Sequence, residues 1–128
     1  MKTAAHLVAV AKGRVENLTP DEVEAELAAG GVTFVDIREA SEQHQSGTIP
    51  GAIHAPRGML EFYADPSSPY HRPEFQPQQR IILYCASGGR SALAADTLQE
   101  MGYTRVGHLD GGFKAWEAAS KPVAKPQA

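Results

Sequence analysis

Two runs of the sequence are apolar at nearly every position, and they constrain the fold more than any other feature. They are VTFVDIR at 32–38 and RIILYC at 80–85. A strand solvated on one face alternates apolar and polar residues, so a continuous apolar run indicates a strand that is covered on both faces. Such strands belong to sheets whose crossover helices cover them. The sequence therefore predicts an α/β fold, with the run at 80–85 as a central strand.

Helical and strand-like segments alternate along the remainder of the chain. The segment after residue 18 has the clearest boundaries: Thr19 is a helix N-cap, Pro20 takes the first helical position, Glu22 completes a capping box, and Gly30 ends the helix. Further strands are predicted at 15–18, 52–56 and 105–110. Further helices are predicted at 41–47, 57–65, 90–102 and 111–120.

The last two of these helices carry apolar faces. In the helix that follows residue 90, one face is formed by Ala94, Ala95, Leu98 and Met101. In the helix that follows Gly111 and Gly112, two aromatic residues share a face, Phe113 and Trp116. Both faces are expected to pack against the sheet.

The length of 128 residues indicates one hydrophobic core. We predict a helical N-terminal extension at 1–14, one domain at 15–120 and a flexible tail at 121–128. The N-terminal segment contains a short apolar stretch ending in Ala9, Val10 and Ala11, but this stretch is too short for a secretory signal. A cytoplasmic location is therefore expected.

Composition excludes several functional classes. The formal net charge of −3 provides no basic surplus for nucleic-acid binding, and the mean hydropathy of −0.32 is too low for a membrane protein. A single cysteine excludes an internal disulfide and a cysteine-only metal site. The five histidines have no ligand-like spacing and are read as surface or capping residues, so no metal is expected.

The single cysteine, Cys85, ends the predicted central strand and precedes the loop ASGGRS. Ligands of open α/β sheets bind beyond the carboxyl ends of the strands, where this sulfur would lie. Gly88 and Gly89 allow the backbone to curl and direct its amides inward. A helix N-terminus and Arg90 add positive charge. All these effects favour the thiolate, although a strand-end cysteine is also found as an inert apolar residue.

Glycine-rich loops also bind nucleotides and, in cysteine phosphatases, phosphate. The loop has neither the lysine of a Walker motif nor the spacing of a dinucleotide-binding motif. In cysteine phosphatases, five residues separate the cysteine from the arginine, whereas four separate Cys85 from Arg90. The shorter loop suits an anion that bonds to Cys85 through a terminal sulfur better than a caged phosphoryl group.

With these residues the loop CASGGRSALAA resembles the active-site loop of the rhodanese-type sulfurtransferases. FVDIRE at 34–39, SGTIPGAIHAP at 46–56 and LDGGFKAW at 109–116 are similar to other motifs of that family, and the likeness runs from about residue 15 to residue 120. It implies a twisted, mostly parallel five-stranded sheet flanked by helices. It also implies a thiosulfate-type sulfurtransferase without a cofactor.

The resemblance assigns roles to individual residues. Cys85 would carry the sulfur as a persulfide, and the loop itself would ionise the thiol without a general base. The anion would be stabilised by the backbone amides of the loop residues Ala86, Ser87, Gly88, Gly89, Arg90 and Ser91. Arg90 would hold a small anionic donor, and Arg57 is a candidate for added positive charge at the mouth of the site. The acceptor would be a thiol, cyanide or a protein.

Two further readings remain open at this point. A phosphatase-like or arsenate-related enzyme would use the same cysteine, and a non-enzymatic sulfur-relay or binding module would use the same fold. Modules of the second kind commonly lack the cysteine, which this chain retains. Among the remaining polar residues, Asp36 and Arg38 are read as a structural pair, and His54 and Asp110 as residues that brace loops.

Overall fold

The strands of the computed structural model, which describes residues 1–126, form a single five-stranded sheet in the order β1-β5-β4-β2-β3. Every neighbouring pair is parallel. The strands are β1 Glu16–Leu18, β2 Val32–Asp36, β3 Ile53–His54, β4 Arg80–Tyr84 and β5 Val106–Leu109. All residues of β4 are buried. The predicted α/β fold and the central position of this strand are confirmed.

Helices connect the strands and cover both faces of the sheet. They are α1 Ala4–Lys12, α2 Pro20–Ala29, α3 Ala40–Ser46, α4 Leu60–Ala64, α5 Gly89–Glu100 and α6 Gly112–Ala118, with a 3-10 turn at Arg57–Met59 before α4. The capping box of α2 forms as predicted, because Glu22 N donates to Thr19 Oγ1 and Thr19 N donates to the Glu22 carboxylate. Helix α3 begins one residue before the predicted start.

The alternation of side chains along β4 divides the core into two clusters. Ile81, Leu83 and Cys85 face the cluster that contains residues of α4 and α5. Ile82 and Tyr84 face the opposite cluster, which contains residues of α2 and α6. Both clusters are buried, which explains why β4 is apolar at successive positions. Cys85 therefore lies on the face of the sheet that α5 covers.

The two ends of the described chain contact the domain. Helix α1 packs against α5, and Lys12 forms an ion pair with Asp110. Near the other end, Ala124 forms an antiparallel bridge with Thr48, in which each amide donates to the other carbonyl at 2.7 Å. The predicted tail thus includes a hydrogen-bonded portion, while residues 127–128 lie outside the described residues.

Two expectations about single residues are wrong. Met101 was expected on the buried face of α5, but it follows the last helical residue and is exposed. His108 was expected at the surface or at a cap, but it lies in β5 and is fully buried. A strand covered on both faces has no solvated position, so a polar residue within it must find a partner inside the protein.

The structural pair that was expected at the end of β2 is confirmed. Asp36 and Arg38 are both buried and form an ion pair at 2.9 Å. Tyr84 also donates to the Asp36 carboxylate at 2.8 Å, and Arg38 donates to Gly47 O. This network joins the ends of β2 and β4 to the loop that leads into β3.

The expectation that His54 and Asp110 brace loops is likewise confirmed by their contacts. His54 Nε2 lies 2.7 Å from Arg38 O, and the Asp110 side chain accepts a hydrogen bond from Lys12 Nζ at 3.2 Å.

None of the helices within residues 1–126 combines the length and the apolar character needed to cross a bilayer.

Candidate active site

The sulfur of Cys85 lies at the carboxyl end of β4, directly in front of the first turn of α5. The side chain is buried. Its Sγ accepts hydrogen bonds from Gly88 N at 3.2 Å and from Ser91 N at 3.4 Å. Both donors are amides that precede or begin a helix, where the backbone N–H groups have no partner within the helix and carry positive charge. The sulfur therefore has two backbone hydrogen-bond donors from the start of α5.

The bend between Cys85 and α5 depends on Gly88. Its φ of +100° lies in the left-handed region, and a Cβ at this position would lie only 3.1 Å from Gly111 N. Gly89 differs, because its φ is ordinary and a Cβ there would meet only Val8 Cγ2 at 3.7 Å. Of the two adjacent glycines, the loop conformation requires the first.

The turn that begins α6 braces the same loop from the side. Phe113 N donates to Cys85 O at 2.8 Å, and Lys114 N donates to Ala86 O at 3.0 Å. A Cβ on Gly112 would lie 2.6 Å from Cys85 O, so only glycine allows this close approach. In a planar trans peptide the C=O and the following N–H point in opposite directions. The amides of Ala86 and Ser87 therefore point away from α6.

Four amides of the loop remain available to a ligand. Those of Ala86, Ser87, Gly89 and Arg90 have no hydrogen-bond acceptor within residues 1–126. Ser87 is exposed, so the loop opens to solvent at this residue, although Cys85 itself is only 1% exposed. In the described part of the chain, two amides of the predicted ring at 86–91 therefore contact the sulfur, and four have no acceptor.

Arg90 does not stand alone beside the loop. Its two terminal nitrogens bind the two carboxylate oxygens of Glu42 on α3, each at 2.8 Å. The hydrogen bonds from Arg90 lower the pKa of Glu42 to about 2, and those of Glu42 raise the pKa of Arg90. Sequence reasoning missed this carboxylate, which fixes Arg90 against α3 and offsets part of its charge.

Arg57 begins the 3-10 turn that follows β3. Its amide donates to Ile37 O, and its side chain forms an ion pair with Glu61 at 2.6 Å. In the order of the sheet, β3 is separated from β4 by β2. Arg57 and Cys85 both follow the carboxyl ends of their strands and so lie at the same end of the sheet. In the described part of the chain, Arg57 makes no hydrogen bond with the loop.

A line of polar side chains behind the sulfur was also missed. Ser91 Oγ lies 3.5 Å from Cys85 Sγ and 2.8 Å from His108 Nδ1. His108 Nε2 in turn lies 2.7 Å from Asn17 Oδ1. Burial lowers the pKa of His108 to about 4, so the imidazole is neutral near pH 7. The one sequence signal was a histidine within the otherwise apolar strand at 106–109.

A cleft of about 650 Å³ lies elsewhere, between residues 43–54 and residues 124–126. No residue of the loop 85–91 lines it, so the cleft is separate from the sulfur. Within residues 1–126, no group of three or more histidine, cysteine, aspartate or glutamate side chains is arranged to hold a metal ion.

Comparison with known proteins identifies the family. Residues 19–119 match the rhodanese-like domain. The chain belongs to the rhodanese-like family. The matched residues include every strand from β2 to β5 and the whole cysteine loop, whereas α1 and β1 precede the matched residues.

Rhodanese-like relatives include sulfurtransferases. A sulfurtransferase of Allochromatium vinosum is 34% identical over 96 residues, which are 75% of this chain and 81% of the relative. A thiosulfate sulfurtransferase of Pseudoalteromonas translucida is 36% identical over 88 residues, 69% of this chain and 75% of the relative. These similarities make the chain a transferase of the sulfurtransferase type.

Among solved structures, one from Rhodopseudomonas palustris has a TM-score of 0.91 and 42% identity, and the match covers 96% of this chain and 95% of that chain. It is described as a protein of unknown function and a possible tyrosine phosphatase. That protein therefore shares the fold of this chain, and its own function is not established.

Proposed function

We propose that this rhodanese-like protein transfers a sulfane sulfur from thiosulfate or a similar anion, and that it carries the sulfur as a persulfide on Cys85. The observation that carries this proposal is the set of amides around Cys85 Sγ. Two of them already donate to the sulfur, and four more in the same short loop have no acceptor within residues 1–126. An anion bonded to Cys85 would be stabilised by these donors.

The reaction proceeds in two covalent steps. The Cys85 thiolate attacks the outer sulfur of thiosulfate, a bond forms between the two sulfurs, and sulfite leaves with the electron pair of the broken S–S bond. A thiol, cyanide or a protein then attacks the outer sulfur of the persulfide, and the Cys85 thiolate leaves. The chain contains no second cysteine that could discharge the persulfide as an internal disulfide.

Arginine side chains have different roles in this proposal. Arg90 attracts the anionic donor to the loop, although its pairing with Glu42 reduces the charge it offers. Arg57 adds positive charge at the same carboxyl end of the sheet, where it is partly exposed and paired with Glu61.

The cytoplasmic location stays a prediction from the sequence.

Mass spectrometry tests the covalent intermediate. Incubation with thiosulfate should add the mass of one sulfur atom to the intact protein, and cyanide should remove it. The matched control is Cys85→Ser, which should gain no sulfur because the chain has no other thiol. A Cys85→Ser protein that still converts thiosulfate and cyanide to thiocyanate would contradict the proposal.

A phosphatase-like activity is a second candidate, favoured by the description of the Rhodopseudomonas palustris relative. The loop argues against it, since four residues rather than five separate Cys85 from Arg90. Hydrolysis of an aryl phosphate that disappears in Cys85→Ser would establish this activity. A binding module without catalysis would show neither sulfur uptake nor hydrolysis.

A further inference from the structure

A continuous line of hydrogen bonds runs from the buried sulfur to the surface. It consists of Cys85, Ser91, His108 and Asn17, with separations of 3.5, 2.8 and 2.7 Å between consecutive polar atoms. The first three residues are fully or almost fully buried, and Asn17 is exposed on the edge strand β1. Each buried group in the line therefore depends on its neighbours for its hydrogen bonds.

The direction of these hydrogen bonds is determined by Asn17. Its amide nitrogen donates to Lys12 O at 2.9 Å and to Val15 O at 3.2 Å, so its oxygen faces His108. His108 Nε2 must then carry a hydrogen, and Nδ1 of a neutral imidazole must be an acceptor. Ser91 accordingly donates its hydroxyl hydrogen to Nδ1. This leaves lone pairs of Ser91 Oγ facing the sulfur.

The neutral state of the imidazole follows from its surroundings. It is enclosed by the sheet and α5, and the charged groups near it are Lys12 from α1 and Asp110 after β5, which pair with each other. Within β1, its partner is the uncharged side chain of Asn17. Among the described residues, the only other titratable group linked to it by hydrogen bonds is Cys85, through Ser91.

We propose that Asn17 and His108 are positioning residues that make Ser91 Oγ a hydrogen-bond acceptor toward Cys85 Sγ, so that the hydroxyl opposes the formation of the thiolate. This inference rests on the proposed function of Cys85 as the sulfur carrier. The amides of Gly88 and Ser91 favour the thiolate, as does the charge of Arg90, which is paired with Glu42. The Ser91 hydroxyl opposes them.

Ionisation of Cys85 then requires a rearrangement of one hydroxyl group. The thiol proton leaves to water at the open side of the loop, and the Ser91 hydroxyl rotates to donate to the thiolate. This rotation breaks the bond to His108 and leaves Nδ1 without a partner. The fixed tautomer of His108 thus sets how readily the resting thiol becomes a nucleophile.

Substitution of the exposed residue tests this without disturbing the core. In Asn17→Ala the imidazole is free to place its hydrogen on Nδ1 and donate to Ser91, whose hydroxyl then donates to the sulfur. The rate of alkylation by iodoacetamide, measured against pH, should have its midpoint about one pH unit lower than in the unsubstituted protein. Below the midpoint this corresponds to about a tenfold faster reaction.

Two controls separate positioning from a general change in structure. Asn17 also donates to Lys12 O at the C-terminal end of α1, so its loss could act by loosening this helix. Thr3→Ala removes the N-cap of α1 without touching the hydrogen-bond line, and it should leave the midpoint unchanged. In a Ser91→Ala background, Asn17→Ala should cause no further shift, because the link to the sulfur is absent. A shift that persists in that background, an upward shift, or no shift in Asn17→Ala alone would each overturn the proposal.

A second measurement uses the unsubstituted protein. Nitrogen NMR of His108 at pH 7 should show a hydrogen on Nε2 and none on Nδ1. The opposite tautomer, or an imidazolium, would overturn the proposal. Neither experiment requires a sulfur donor, so a protein that takes no sulfur from thiosulfate and still shows the expected shift would contradict the proposed function alone.

Discussion

Substitution of Gly88 by alanine should damage both stability and sulfur transfer. An alanine held at a φ near +100° costs about 1–3 kcal/mol, and its Cβ would crowd Gly111 N at 3.1 Å. We expect the free energy of unfolding to fall by about 2–3 kcal/mol. For a chain of this length that lowers Tm by about 10 °C. The loop would relieve the strain by moving Gly88 N away from Cys85 Sγ, to which it donates at 3.2 Å.

The loss of that hydrogen bond should lower the rate of persulfide formation by about tenfold, the usual scale for one hydrogen bond to a charged group. Thermal unfolding followed by circular dichroism measures the first effect, and timed mass spectrometry with thiosulfate measures the second. Gly89→Ala is the matched control, since its φ is ordinary and a Cβ there meets only Val8 at 3.7 Å. It should change Tm by no more than about 2 °C.

Equal Tm values for Gly88→Ala and Gly89→Ala would refute this reasoning. They would mean that the bend tolerates a side chain and that the sulfur does not depend on one fixed loop conformation.

Three further predictions concern charged groups. In the folded protein Arg90 lowers the pKa of Glu42 to about 2, so the pair stabilises the protein above about pH 4.5 and loses this effect as pH falls toward 2. Glu42→Gln should therefore lower the free energy of unfolding in urea by about 1 kcal/mol at pH 7, and the difference between the two proteins should shrink toward pH 3. Burial lowers the pKa of His108 to about 4, so protonation of its imidazole favours the unfolded state. The free energy of unfolding should fall by up to about 3 kcal/mol as pH falls from 6.5 to 4. A His108→Gln protein whose free energy of unfolding falls as steeply over this range would contradict the prediction. Arg38→Met should lower the free energy of unfolding by about 3–5 kcal/mol, because it leaves the Asp36 carboxylate buried without its countercharge, and a loss below 1 kcal/mol would contradict the structural role of the pair.

The fold could be predicted because its signals are local. Continuous apolar runs indicated buried parallel strands, and the Thr19 capping box marked the start of a helix, with each signal lying within a few residues. Met101 shows where this reasoning fails. Helical periodicity placed it on a buried face, but α5 ends at Glu100, and Met101 is the exposed C-cap of the helix.

The candidate site was predictable only in its local part. Cys85, the glycines and Arg90 are neighbours in sequence, so their combination could be recognised. The partners that set their chemistry are distant: Glu42 lies 48 residues from Arg90, and Asn17 lies 91 residues from His108. No pattern in a single sequence links such residues, because only the pairing of β1 with β5 and the position of α3 bring them together.

The brace that α6 provides has a consequence for how the site is made. Residues 113 and 114 hold the carbonyls of Cys85 and Ala86 through their amides. During synthesis the cysteine and its glycines emerge first, and these two amides follow more than twenty residues later. A nascent chain therefore has a thiol before it has a finished anion-binding loop, and a product truncated before α6 would retain the cysteine without the support that shapes its loop.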